Sequence, residues 1–126
     1  MNIKSIPHVG IIVDDTEQSL RFYRDVLGLC IDDSRPDLDY PGAWLTIGEQ
    51  QIHLMELPNP DPVVGRPQHG GRDRHVAFYV GDIVALIDRL DEHGVGYTRS
   101  ASGRNALFLR DPDGNALEFV QLMAQG

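Results

Sequence analysis

Cysteine is nearly absent from these 126 residues: Cys30 stands alone, so no disulfide within the chain can hold the fold. Basic residues are scarce as well, 11 against 19 acidic ones, for a net charge of −8. Such a surface repels a phosphate backbone or an anionic bilayer, which argues against a nucleic-acid binder or a membrane-surface protein. Long apolar runs are missing. Val76 to Val80 is typical of the longest, far short of the ~20 residues that cross a membrane. The first residues also lack the pattern of charge followed by a greasy stretch that marks a cleaved leader, and the expectation is a soluble, cytoplasmic protein. What is abundant is ordinary globular material, with 41% hydrophobic residues, enough for a chain of this length to bury a core of its own.

The chain can be read twice. His8-Val9-Gly10-Ile11-Ile12-Val13, followed by Asp15, returns 67 positions on as His75-Val76-Ala77-Phe78-Tyr79-Val80, followed by Asp82. Ile52-His53-Leu54 returns as Leu117-Glu118-Phe119 at nearly the same offset. Repetition at this scale predicts two similar modules, residues 1–57 and 73–123, within one domain spanning 1–126. Each reads as strand, helix and three strands. The first module has a strand over 3–13, a helix opened by Asp15 and Gln18 and closed by Gly28, then strands near 29–34, 43–48 and 51–57. In the second, a strand at 75–80 precedes a helix marked by Ile83, Leu86, Ile87 and Leu90 that stops at Gly94. Strands near 95–99, 104–110 and 115–123 follow, with Asp111-Pro112-Asp113-Gly114-Asn115 as the turn between the last two. The stretch from Pro58 to Arg74 carries four prolines and three glycines and suits a crossing connection.

Side chains two apart on a strand share a face. That alternation sets His8, His53, His75 and Glu118 on the faces opposite the apolar residues that pack against helices. Three imidazoles and one carboxylate at repeat-related positions suit a divalent ion such as zinc, nickel, cobalt, manganese or iron. His53 is the most dispensable member, since His8, His75 and Glu118 make a workable set alone. His93 closes a helix, where its partial positive charge has a structural use, and His69 falls in the connection, where a solvated loop is the simpler reading. Cys30 has no neighbouring base to activate it.

These residues, with Phe22-Tyr23-Arg24-Asp25-Val26-Leu27-Gly28-Leu29 and Asp111-Pro112-Asp113-Gly114-Asn115-Ala116-Leu117-Glu118, resemble the vicinal oxygen chelate superfamily. That superfamily includes glyoxalase I, fosfomycin-resistance proteins, methylmalonyl-CoA epimerase, extradiol dioxygenases and bleomycin-resistance binding proteins. The resemblance implies an α+β fold of paired βαβββ modules whose curved mixed sheets form a cup around a metal, in a homodimer. It implies ligands on the first, fourth, fifth and eighth strands, matching His8, His53, His75 and Glu118, although glyoxalase I commonly has glutamate where His53 stands. A glyoxalase-like lyase or isomerase, acting on a small substrate chelated through adjacent oxygens and sometimes carried as a thiol adduct, leads. Glu118 is then the base, and His53 takes the place of the second glutamate as acid or base. Met55, Tyr79, Trp44 and Arg104 are the substrate-wall candidates, with ordinary packing as their alternative. Arg104 follows Ser100, Ser102 and Gly103, a loose match to a fosfomycin-protein loop, and its guanidinium suits a carboxylate, phosphonate or glutathione group. Fosfomycin-type thiol transfer, extradiol ring cleavage and metal-free sequestering of a drug or metabolite are the competing functions.

Overall fold

The structure, a computed structural model, describes residues 1–123. The chain divides into two compact units, the first Met1–Asp61 and the second beginning at Pro62. In the first unit β1 (His8–Val13) leads into α1 (Thr16–Leu20) and a π-helical continuation over Arg21–Val26, followed by β2 (Cys30–Asp32), β3 (Gly42–Ile47) and β4 (Gln50–Glu56). The four strands form one mixed sheet in the order β1-β4-β3-β2, with β1 parallel to β4 and the other neighbours antiparallel. The second unit repeats the plan. A 3-10 turn at Gly70–Arg72 precedes β5 (His75–Val80), α2 (Ile83–Glu92), β6 (Thr98–Arg99), β7 (Ala106–Arg110) and β8 (Ala116–Gln121), ordered β5-β8-β7-β6. This is an α+β architecture of two βαβββ units, as the repeat predicts.

Local chemistry explains the elements. Asp15 and Asp82 sit in extended backbone and accept from Gln18 N and from Val84 N and Ala85 N, giving the orphan amides of each helix start a partner. Glu56 Oε1 also accepts from Thr16 N at 2.8 Å, so the end of β4 helps open α1. Gly28 and Gly94 close their helices at φ 79° and 67°, where a side chain is strained. On β1 and β4, Ile11, Val13, Ile52 and Leu54 are buried towards the helix with Leu20, Phe22, Tyr23 and Val26. In the second unit α2 packs on β8, and Ile83 and Leu90 are buried, as are Leu107, Leu109, Leu117 and Phe119. The opposite faces stay open on the first strands: His8 and Gly10 on β1, and His75, Ala77 and Tyr79 on β5, are exposed.

Several boundaries differ from expectation. β1 begins at His8 rather than residue 3, because Pro7 has no N–H to donate; its carbonyl alone reaches the ladder, through Gln51 N. β6 is limited to Thr98–Arg99. The Pro/Gly-rich connection largely belongs to the second unit, where Gly70 lies so close to Ala116 and Phe108 that a Cβ there would stand 3.3 Å from the Ala116 Cβ.

Candidate functional site

In the first unit the candidate residues form a stack. β1 and β4 are in register with Gly10 beside His53, and β3 sets Trp44 opposite His53. The His53 ring therefore lies between two flat neighbours, Trp44 at 4.2 Å and 7° and His8 at 4.0 Å and 12°. Met55, one register step along the same face, lies against Gly10, whose missing side chain leaves room for its thioether. Residues sequence reasoning missed hold His53 in place. Gln51 donates its amide N–H to Asp32 and turns its amide oxygen to His53 Nε2 at 2.8 Å. A carboxylate only accepts, so the amide orientation follows, and with it the His53 tautomer: the proton sits on Nε2 and the lone pair on Nδ1. Burial, then the positive charges of His8 and Arg35, hold the His53 pKa below its usual value, against a smaller opposite pull from Asp32. The imidazole is neutral at pH 7.

In the second unit β5 runs parallel to β8 with Ala77 beside Glu118. His75 donates from Nδ1 to the Asp73 carbonyl at 2.9 Å, which turns Nε2 towards Glu118 Oε1 at 3.4 Å. Glu118 is buried, its side chain 4% exposed, and its other oxygen accepts from Arg104 Nη2 at 2.8 Å. Phe108, opposite Glu118 on β7, meets the His75 ring edge-on at 5.2 Å. His69 borders this group: it hydrogen-bonds Thr98 through Nδ1 at 2.8 Å and stands 4.9 Å from Phe108, edge to face. The loop reading for His69 therefore gives way to a seated ring, and the glycine pair after it was the available signal, since a Cβ on Gly71 would come within 2.9 Å of His69 Nε2. A cleft of about 260 Å³ adjoins it, with Gly70, Tyr97, Thr98 and Phe108 among its walls. Tyr79 lies further along β5 and is 75% exposed.

Asp73 is the other residue that sequence reasoning missed. Its carboxylate accepts from Arg66 Nε and from Arg110 Nη1, each at 2.8 Å, while Arg110 also donates to the Gly114 and Pro67 carbonyls. The Arg66 hydrogen bond, then that of Arg110, hold the Asp73 carboxyl far below the usual carboxylate range despite its burial. This knot ties the connection to the β7–β8 turn and fixes the carbonyl that orients His75.

The predicted donors thus come as two pairs, His8 with His53 and His75 with Glu118. Among the described residues no three His, Cys, Asp or Glu side chains gather into a group that could hold a metal. The second pair nevertheless has the chemistry of a metal edge, because an imidazole nitrogen and a carboxylate oxygen face each other at 3.4 Å, where a proton or a cation joins them. The first pair fits differently. A ligated imidazole holds the ion in its own ring plane, so two stacked, nearly parallel rings cannot share one ion until one leaves the stack.

A duplicated βαβββ arrangement carrying histidine on the first strand of each unit, and histidine and glutamate at the matching fourth-strand places, defines a glyoxalase-like protein. The chain belongs to the Glyoxalase/Bleomycin resistance protein/Dioxygenase superfamily, whose family model matches residues 5–119. It is 30% identical over 124 residues to Glyoxylase I 4 of Arabidopsis thaliana, covering 94% of this chain and 71% of that protein. It is 31% identical over 125 residues to a lactoylglutathione lyase of Haemophilus influenzae, covering 92% and 91%. A glyoxalase family protein from Bacillus anthracis superposes with a TM-score of 0.82 at 25% identity, covering 98% of both chains. Other relatives are named a metallothiol transferase and an ethylmalonyl-CoA/methylmalonyl-CoA epimerase, so membership leaves the reaction open. No helix among the described residues is long and apolar enough to cross a membrane.

Proposed function

We propose that this protein is a metal-dependent glyoxalase-like enzyme performing lyase or isomerase chemistry on a small substrate that presents adjacent oxygens. The observation that carries the reading is the facing pair of His75 Nε2 and buried Glu118 Oε1, with the His75 tautomer set by the Asp73 carbonyl. The ligands we assign are His75 and Glu118 of the second unit and His8 of the first, with His53 joining them only when its ring leaves the stack. Nitrogen and carboxylate donors of this kind suit zinc, nickel, cobalt, manganese or iron. When bound, such an ion polarises adjacent substrate oxygens and eases loss of a proton from the neighbouring carbon.

The rest is work for the chain's own groups. Glu118, buried on β8, takes the proton. His53, neutral and with its lone pair on Nδ1, serves as a second proton acceptor. Trp44 and Met55 in the first unit, and Tyr79 and Arg104 in the second, contact the substrate. The two modules act as one domain, in a cytoplasmic homodimer.

The deciding experiment is Glu118→Gln, assayed with hemithioacetals across these metals, alongside metal analysis of protein purified without added metal. Turnover is expected to fall at least about a thousandfold with the circular dichroism spectrum unchanged. An active variant removes Glu118 from the base role. A wild type with substoichiometric metal, tight ligand binding and no turnover replaces the enzyme reading with sequestration. Because the His53 stack leaves two histidines and one carboxylate as the ligand core, extradiol ring cleavage on ferrous iron is the second reading. Oxygen consumption with a catechol separates the two.

A further inference from the structure

The Glu118 carboxylate serves two partners at once. Oε1 faces His75, while Oε2 accepts from Arg104 Nη2 at 2.8 Å. The two members of this ion pair differ in setting: the Glu118 side chain is 4% exposed and that of Arg104 58%. Arg104 reaches inward from the segment between β6 and β7, and among the described residues its other contacts are local and neutral. Its Nε and backbone N donate to Ser102 Oγ at 3.2 and 3.4 Å, and the Ser102 and Ser100 hydroxyls share a hydrogen bond of 2.7 Å. The hydroxyls brace the arm, and the charge it meets is Glu118.

Two properties follow. A buried carboxylate needs a counter-charge, and in this arrangement the guanidinium supplies it. A divalent ion drawn to the same carboxylate meets a lone pair already engaged and a positive charge beside it. We propose that Arg104 is a displaceable internal counter-cation that competes with the metal for Glu118. This rests on the reading above that Glu118 is a metal ligand. When the ion takes the carboxylate, the exposed arm turns away and its planar fork becomes available to a carboxylate or phosphate group of the substrate. Ion and substrate anion then favour the same released arm, so each tightens binding of the other.

Cobalt titration, followed by visible absorbance and by calorimetry at one pH and ionic strength, tests this without a substrate. Arg104→Ala is expected to bind Co²⁺ about tenfold more tightly than the wild type, the scale of an ion pair with one buried and one exposed partner. Arg104→Lys, which keeps the charge and loses the fork, falls between them and carries the test if the alanine variant folds poorly. Arg99 pairs with Leu107 and so belongs to the other face of the sheet; Arg99→Gln removes an equal charge and stays within about twofold of the wild type. Equal cobalt affinity in wild type and Arg104→Ala overturns the competition while leaving the metal reading intact, as does equal tightening by Arg99→Gln. Absence of cobalt binding in all four proteins overturns the metal reading and the competition together.

Discussion

Replacing Asp73 by asparagine removes one negative charge from the point where two guanidiniums converge. The Asp73 side chain is 8% exposed, and those of Arg66 and Arg110 are 18% and 26%. Surface ion pairs contribute at most about 1 kcal/mol, whereas removing one partner from a fully buried pair costs about 3–5 kcal/mol. This knot lies between those limits, and the amide oxygen of asparagine still accepts one N–H. The expected loss is therefore about 2–3 kcal/mol, which for a chain of this size lowers Tm by roughly 10 °C. The pH dependence has a defined sign. Arg66 and then Arg110 hold the folded-state carboxyl far below its ordinary 3.8, so the stabilisation is complete above that value and is lost as pH falls beneath it. Urea unfolding followed by far-UV circular dichroism at pH 6 and pH 3 checks both statements. A variant within about 0.5 kcal/mol of the wild type at pH 6, or a gap that persists unchanged at pH 3, refutes the reasoning.

Other consequences are as direct. Burial and the charges of His8 and Arg35 depress the His53 pKa, so the unfolded ring protonates first on acidification and the wild type loses stability as pH falls below 6.5 towards the folded value. His53→Gln should therefore show a flatter stability profile between pH 7.5 and 5.5, and an identical change of unfolding free energy with pH in the two proteins, read from urea unfolding at each pH, would exclude this role. A Cβ on Gly42 would stand 2.2 Å from the Leu54 carbonyl oxygen and 3.1 Å from Arg35 Nη2, and neither the β3–β4 backbone nor the β4 ladder has slack to absorb it. Gly42→Ala should cost about 3 kcal/mol or more in thermal unfolding, and a loss under 1 kcal/mol would mean that the strand shifts freely.

Much of this architecture was legible because its determinants are local. The alternation in His8–Val13 and His75–Val80 gives the face of each residue, and exposure of His8, His75 and Tyr79 follows it. Asp15, Asp82, Gly28 and Gly94 mark helix ends through capping and positive φ, each a property of a few neighbouring residues. The Asp111–Asn115 turn is equally self-contained, with Asp111 Oδ1 accepting from Asp113 N and Asn115 N. What sequence reasoning missed is non-local. Arg110 lies 37 positions from Asp73, and no pattern within either stretch announces the pair. Gln51 read as a polar strand residue rather than as the group that selects the His53 tautomer. Alternation set Trp44, His53 and His8 on open faces, but only the register of three strands turns shared faces into stacked rings. The π-helical turn after Leu20 is invisible for a related reason: hydrogen bonds such as Leu27 N to Phe22 O widen the helix by one residue, which a 3.6-residue periodicity averages away.

Trp44 is the chain's one tryptophan, and it lies flat against His53. The protein therefore carries its own optical gauge. Indole emission is sensitive to a charged imidazole in contact with it, so ultraviolet fluorescence from this chain reports the state of a single ring instead of an average over many. Arrival of a proton at that ring, or its departure from between its two neighbours, is readable without dye or label.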